Sequence, residues 1–201
     1  MDYVIIGNSA GAVGCVEGIR SVDKAGKITL IASEPYHTYS RPLISYLLEG
    51  KTDLERMKYR PDSYYEAMGV QARLGVKASA IQPQEHRVLL ETGEEIPYDK
   101  LLVATGSVPL VPPMEGLETV EKQFTFLSLD DAKALEAALT PESRVFLVGA
   151  GLIGLKCAEG IAHRVKSVEV ADLADQVLPS ILDREGAARV QSYLESQGVT
   201  F

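Results

Sequence analysis

Val4-Ile5-Ile6-Gly7-Asn8-Ser9-Ala10-Gly11-Ala12 is a short apolar run that breaks on a glycine and passes into small residues, and Phe146-Leu147-Val148-Gly149-Ala150-Gly151-Leu152-Ile153-Gly154 repeats that pattern. Setting Gly7 on Gly149 also lays Cys15, Glu17, Gly18 and Ile19 on Cys157, Glu159, Gly160 and Ile161. Two copies of one strand, loop, helix, strand unit are therefore predicted. In the first copy the strand is Tyr3 to Ile6, a small-residue helix runs to about Ser21, and Lys27 to Ala32 is the next strand. Arg144 to Val148, Leu155 to Val165 and Ser167 to Ala171 take those places in the second. The strands are continuously apolar rather than alternating, which suits parallel sheets covered on both faces. The fold class expected is α/β, with two Rossmann-like dinucleotide-binding units.

The rest of the chain fits around these copies. Pro35 to Pro42 is rich in Tyr, Ser and Pro and reads as a loop, followed by a short helix over Leu43 to Leu48. Val76 to Ile81, Arg87 to Glu91 and Glu95 to Tyr98 are short segments parted by turn residues, an antiparallel meander inside the first unit. Lys100 to Ala104 is a further strand that ends on Thr105-Gly106. Pro109, Pro112 and Pro113 then make a stiff connector, so the domains expected are 1–109 and 110–201. Asp130 to Leu139 and Asp183 to Ser196 have helical spacing, and Val199 to Phe201 begins a strand, so the second unit reads as truncated.

A G-x-G-x-x-G loop after a strand turns tightly, lets the backbone approach a pyrophosphate, and packs the following helix on the strand, whose free N–H groups then receive the phosphates. Gly149, Gly151 and Gly154 satisfy the pattern, and Asp172 ends the next strand where an acid meets a ribose. The first copy keeps Gly7, places the small residues Ser9 and Ala12 at the other two positions, and carries Glu34 as its acid. A glycine turn with no ligand is the plain alternative at both places. Gly7-Asn8-Ser9-Ala10-Gly11 also matches the G-x-S-x-G nucleophile elbow, which would make Ser9 a hydrolase nucleophile. Only the one short strand Tyr3 to Ile6 leads into that segment, with no earlier strands and no upstream loop to supply an oxyanion hole, and His37, His86 and His163 suggest no triad order; the histidines read as loop and surface residues. Cys15 and Cys157 show no CxxC spacing and read as inert helix-packing residues.

Composition limits the partners. With 28 Asp+Glu against 20 Lys+Arg the net charge is −8, which argues against nucleic acid and anionic membrane surfaces. The chain opens on Met1-Asp2-Tyr3 with no basic leader and has no apolar run long enough to span a bilayer, so a cytoplasmic location is expected.

Several segments in order resemble the FAD- and NAD(P)H-dependent pyridine nucleotide-disulfide oxidoreductase superfamily. They are Val4 to Gly14 with Glu34, Tyr39-Ser40-Arg41-Pro42-Leu43-Ile44-Ser45, Leu101-Leu102-Val103-Ala104-Thr105-Gly106, Gly149 to Gly154, and Asp172 with Ala174-Asp175-Gln176-Val177-Leu178-Pro179. The Arg-Pro run is most similar to the rubredoxin reductase, ferredoxin reductase and nitrite reductase flavin modules. The resemblance implies FAD in the first unit, with Gly7, Ser9, Ala10, Gly11 and Ala12 around its phosphates and Glu34 on its adenosine ribose. Ala78 and Ala104-Thr105-Gly106 would lie against the cofactor, and Arg41 and Pro42 beside the isoalloxazine ring. NADH would sit on Gly149, Gly151, Leu152, Ile153 and Gly154, with Asp172 on the ribose hydroxyls and repelling a 2′-phosphate.

The implied activity is hydride transfer from NADH to FAD, with electrons passed to a small redox protein such as rubredoxin or ferredoxin, a nitrite-reducing module, or dioxygen. A nucleotide-binding redox sensor or assembly subunit is the alternative. The chain departs from the family in four ways. No cysteine lies near Arg41-Pro42, which disfavours disulfide chemistry. Tyr46 stands where many relatives carry a lysine, and Lys156, expected near the nicotinamide, stands where many carry a glutamate; it is either a phosphate- or carboxylate-holding cation or a snorkelling surface lysine. The chain also has no Gly-Asp pair of the kind that contacts FAD further along in relatives, so it reads as an N-terminal portion, monomeric by default.

Overall fold

The computed structural model describes every residue from Met1 to Phe201. The chain divides into two compact units, one of Met1–Ser40 and Lys58–Ser107, the other of Arg41–Met57 and Val108–Phe201. The division after Ser107 lies two residues from the 109/110 boundary expected from the prolines, but Arg41–Met57 goes with the second unit.

The first unit opens with β1 (Asp2–Ile6), α1 (Ala10–Val22) and β2 (Lys27–Ala32). In its second stretch come a short helix α3 (Tyr64–Ala67), β3 (Val70–Leu74), β4 (Ala78–Gln82), β5 (Arg87–Leu90), β6 (Glu95–Pro97) and β7 (Lys100–Val103). Four strands form a parallel sheet in the order β3-β2-β1-β7, and β4, β5 and β6 form the antiparallel meander. Successive residues of β1 point to opposite faces. Ile5 packs with Val13, Val16, Ile28, Leu30 and Tyr64 on the α1 side. Val4 and Ile6, with Ile31, pack against Val88 and Leu90 of the meander on the other. Both faces are covered, which is why the strand reads as unbroken apolar sequence.

The second unit holds α2 (Ile44–Leu48), entered through a 3-10 turn over Arg41–Leu43, and then α4 (Leu129–Ala138), β8 (Arg144–Val148), α5 (Leu152–Ile161), β9 (Ser167–Ala171), α6 (Arg184–Ser196) and β10 (Val199–Thr200). Its three strands are parallel in the order β10-β9-β8. The repeat extends to packing on one face only. Val4 and Ile6 are 2% and 7% exposed, whereas Phe146 and Val148, at the same places in β8, are 63% and 49% exposed.

Arg41–Met57 joins the second unit because α2 lies on α5. A side chain at Gly160 would stand 2.9 Å from the Ser45 carbonyl, so glycine permits the close approach. Arg164, in the 3-10 turn that extends α5 over Ala162–Arg164, donates to the Leu48 carbonyl at 2.8 Å. Lys156 of α5 places its ammonium 4.2 Å from the centre of the Tyr46 ring.

Candidate dinucleotide-binding sites

The two glycine loops share one backbone design. Gly7 and Gly149 have φ of +125° and +108°, a region closed to side chains. Each donates its N–H to the last carbonyl region of the neighbouring strand, Gly7 to Ile31 at 2.8 Å and Gly149 to Ala171 at 2.7 Å. The helices that follow differ in their caps from α4 and α6, the other long helices. Ser128 and Asp131 form a full capping box on α4, and Asp183 accepts from Gly186 at the start of α6. Ser9, the N-cap of α1, makes no side-chain capping bond to the helix N–H groups, and Gly151 has no side chain with which to cap α5. Neither α1 nor α5 carries an acid in its first turn. Their first-turn N–H groups and the positive ends of their dipoles thus face an open approach, the arrangement a pyrophosphate requires.

In the first unit, Ala10 and Gly11 are exposed at the helix start and Ala12 is buried beneath it. The end of β7 comes up beside the loop: Ala104 donates to the Ile6 carbonyl at 2.7 Å, and a side chain at Gly7 would collide with the Ala104 carbonyl. Gly7 and Ala104-Thr105-Gly106 are thereby brought together, with Thr105 and Gly106 exposed. Glu34 follows β2, and the Tyr39 hydroxyl donates to its two carboxylate oxygens at 3.1 and 3.3 Å. Ala78 pairs with Leu90 in the meander and packs in the apolar layer that contains Ile6.

Asn8 fastens this loop. Its amide nitrogen donates to the Tyr36 carbonyl at 3.1 Å, and its oxygen accepts from the Tyr65 hydroxyl at 2.8 Å. Tyr65 in turn accepts from the Thr38 N–H at 3.1 Å. His37 packs against Tyr65 with ring centres 4.6 Å apart and planes tilted by 50°, so it is a loop residue, as expected, but a packed one rather than a surface one; His86 and His163 are exposed. The buried Thr38 hydroxyl and His37 Nε2 have no partner and retain capacity for a polar ligand. These features fit the phosphate and ribose portions of FAD.

In the second unit a side chain at Gly154 would collide with the Gly149 carbonyl and stand 2.9 Å from Leu147, so the last glycine of the motif sets how closely α5 lies on β8. Leu152 and Ile153 are exposed at the start of α5, and Ala150 is buried. Asp172 accepts from Ala174 N–H at 2.8 Å and from Ala150 N–H at 2.7 Å. These backbone bonds hold its carboxyl below the usual aspartate range, and the lone pairs left over suit two ribose hydroxyls. An uncapped helix, an open glycine and an ionised acid fit the adenosine diphosphate half of NAD.

Arg41 donates to the Leu127 carbonyl at 3.4 Å, and Pro42 accepts from the Ser45 hydroxyl at 3.3 Å. Both open the α2 segment of the second unit, where Lys156 also lies. Burial opposes the Lys156 charge, but its ion pair with Glu159 and its contact with Tyr46 outweigh burial and raise its pKa. Lys156 is thus held between Glu159 and the Tyr46 ring, with its side chain 35% exposed.

Two sequence readings are settled by geometry. Ser9 has φ −111° and ψ −169°, ordinary extended backbone, and the only non-glycine residues of positive φ are His86 and Leu178; the strained turn of a nucleophile elbow is not formed at Ser9. Burial pushes the Cys157 thiol up to about 12 and raises that of Cys15, so neither is an activated nucleophile. No helix is long and apolar enough to cross a membrane.

The sequence named Tyr39 only within a longer run and gave no role to it, to Tyr65 or to the side chain of Asn8. Tyr65 lies between the assigned elements in a stretch with no clear periodicity, and only its place in the fold gives it meaning.

The sequence profile of pyridine nucleotide-disulphide oxidoreductases matches residues 1–201. The chain is 33% identical over 202 residues to a probable ferredoxin reductase of Castellaniella defragrans, covering 98% of this chain and 48% of that protein. It is 29% identical over 196 residues to the epsilon subunit of the NADH-dependent phenylglyoxylate dehydrogenase of Aromatoleum evansii, covering 98% and 46%. Among solved structures, the covalent putidaredoxin reductase–putidaredoxin complex superposes with a TM-score of 0.86 at 26% identity, over 99% of this chain and 48% of that one. The chain spans about half the length of these relatives or less. With both nucleotide loops in place and the whole of it matched, the chain belongs to the pyridine nucleotide-disulphide oxidoreductase family, whose members use FAD and NAD(H).

Proposed function

We propose that the protein is the nucleotide-binding part of an NADH-dependent flavin reductase, with FAD on the loop Gly7 to Ala12 and NADH on the loop Gly149 to Gly154. The observation that carries this reading is the pairing, twice in one chain, of a glycine loop heading an uncapped helix with an acid after the next strand. A bound flavin accepts hydride from reduced nicotinamide and releases electrons one or two at a time. The chain's own residues bind and orient. The N–H groups of Ser9 to Ala12 hold the FAD pyrophosphate, Glu34 takes the ribose hydroxyls, and Ala104 to Gly106 close the loop from the β7 side. Gly151 to Gly154 hold the NADH pyrophosphate. Asp172, already ionised, accepts from the ribose diol and repels a 2′-phosphate, which favours NADH over NADPH.

Arg41, Pro42 and Lys156 are the residues assigned to the reacting end, with Arg41 and Pro42 beside the flavin ring and Lys156 near the nicotinamide. Neither thiol is poised for covalent chemistry, so electrons leave to an external acceptor: a small redox protein, a nitrite-reducing module or dioxygen. The names of the relatives, a ferredoxin reductase and a subunit of an NADH-dependent dehydrogenase, support this class. We place the domain division at the proline connector, with the FAD site before it and the NADH site after it. The test is a visible spectrum of the chain desalted after incubation with FAD, then anaerobic addition of NADH or NADPH. Retained flavin bands that bleach faster with NADH are expected. Absence of retained flavin overturns the first-loop assignment, and equal bleaching by the two nucleotides overturns the role of Asp172.

A further inference from the structure

The first glycine loop is tied to a residue far from it in sequence. Helix α3 is pinned to α1 from two sides. The buried Tyr64 hydroxyl donates to the Val13 carbonyl at 3.3 Å. Arg20 donates through Nε to the Met68 carbonyl at 2.6 Å and through Nη2 to that of Gly69 at 3.2 Å. With its neighbours so held, Tyr65 has one place for its hydroxyl, between the Thr38 N–H at 3.1 Å and Asn8 Oδ1 at 2.8 Å. The Asn8 amide admits one orientation, because turning it over would set its oxygen against the Tyr36 carbonyl that Nδ2 now meets at 3.1 Å. Asn8 lies between Gly7, at positive φ, and the N-cap Ser9, so fixing its side chain fixes the peptide planes that aim the first N–H groups of α1.

We infer that Tyr65 is a positioning residue for the flavin dinucleotide, acting through Asn8 to hold the phosphate loop in its binding conformation before the ligand arrives. This rests on the assignment of FAD to the first loop. Preorganisation of this kind raises affinity because ligand binding no longer has to order the loop. Tyr65 itself touches no phosphate in this scheme. Its effect therefore falls on ligands that carry phosphate and spares those that do not, since Glu34 is held separately by Tyr39.

The test is a set of titrations on the full chain, wild type, Tyr65→Phe, Asn8→Ala and the double variant, with FAD by flavin fluorescence and with ADP and adenosine by their displacement of bound FAD, which reads the first loop alone. Loss of one such hydrogen-bond link is expected to weaken FAD and ADP about tenfold. Adenosine binding is expected to stay within twofold, and Tyr65→Phe is expected to add less than twofold in the Asn8→Ala background. The thermal midpoint of the ligand-free variants is read alongside. Wild-type binding of FAD with an unchanged affinity in Tyr65→Phe overturns the inference, as does an equal loss for adenosine, which would mark a general loosening of the fold. If Tyr65→Phe does not fold, Asn8→Ala carries the same ADP-against-adenosine comparison. Wild-type failure to bind FAD or ADP removes the first-loop assignment and this inference with it.

Discussion

Gly7→Ala and Gly149→Ala form a matched pair that separates backbone strain from crowding. Both glycines hold positive φ, +125° and +108°, and both donate to the adjacent strand. The strain of forcing alanine into that region is common to the two, ~1–3 kcal/mol. What a new Cβ would meet differs. At Gly7 it runs into the Ala104 carbonyl, a backbone atom that cannot rotate aside, whereas at Gly149 nothing lies within 4 Å. Overpacking against fixed atoms adds ~1–3 kcal/mol. The expected totals are ~2–6 kcal/mol for Gly7→Ala and ~1–3 kcal/mol for Gly149→Ala. Native-state hydrogen exchange read by mass spectrometry on the β1 and β8 amides reports the two openings separately. Equal losses of protection in the two variants would refute the crowding argument. So would rescue of Gly7→Ala by Ala104→Gly, because the clash is with the carbonyl that the second substitution leaves in place.

Three further outcomes are expected. Asp172→Asn removes the charge facing a 2′-phosphate, so the NADH-to-NADPH affinity ratio, measured by calorimetry, should fall about tenfold for an exposed site; an unchanged ratio would sink the specificity role. Cys157, buried and with its thiol pushed up to about 12, should resist iodoacetamide at pH 8 until the chain is unfolded in urea, and rapid native labelling would contradict its packing. Burial opposes the charge on Asp131, but its bonds from Ser128, Leu127 and Thr125 outweigh that and keep its pKa below the ordinary 3.8. A carboxyl depressed in the folded state contributes stability above its unfolded value and loses it as pH falls through the folded one. The gap in thermal midpoint between wild type and Asp131→Asn should therefore hold from neutral pH to about 5 and close below about 4; a gap that widens in acid would reverse the assignment.

The parts of the fold legible in sequence are those with a clear local pattern. β1 and β2 bury apolar side chains in runs, β8 keeps the unbroken apolar sequence although Phe146 and Val148 are exposed, β9 buries its two valines, and turn residues bound each strand of the meander, so spacing alone found them. β3 was not legible. Its Val-Gln-Ala-Arg-Leu carries Gln71 and Arg73 at the edge of the sheet, where one side of the strand pairs with β2 and the other is free, and no apolar run forms. The place of Arg41–Met57 was hidden for another reason. Its link to the second unit runs through Gly160, Arg164 and Lys156, more than a hundred residues away, and only one of those contacts, the glycine, left a mark in the repeat. The candidate site divides the same way: its loop glycines and acids have fixed spacing and are legible, while Tyr65 stands on a four-residue helix whose position depends on Arg20 and Tyr64.

The repeat also shows how one loop design is fixed by two different means. Asn8 and Ala150 occupy the same position after the loop's first glycine. In the first unit the side chain at that position does the fastening, and the acid is left to Tyr39. In the second unit alanine offers no side chain, and the backbone N–H of that same residue is held by Asp172, the acid itself. Asp172, the carboxylate we propose for the second ribose, is thus part of its loop, and Glu34, its proposed counterpart, is fastened by Tyr39 instead. Removal of Glu34 should accordingly weaken ribose recognition and leave the first loop in shape, whereas Asp172→Ala should loosen the second loop as well. Protection of the Ala150 amide against exchange distinguishes the two behaviours. If it survives in Asp172→Ala, the loop is held by Gly149 and Gly154 alone and the carboxylate serves only the ligand.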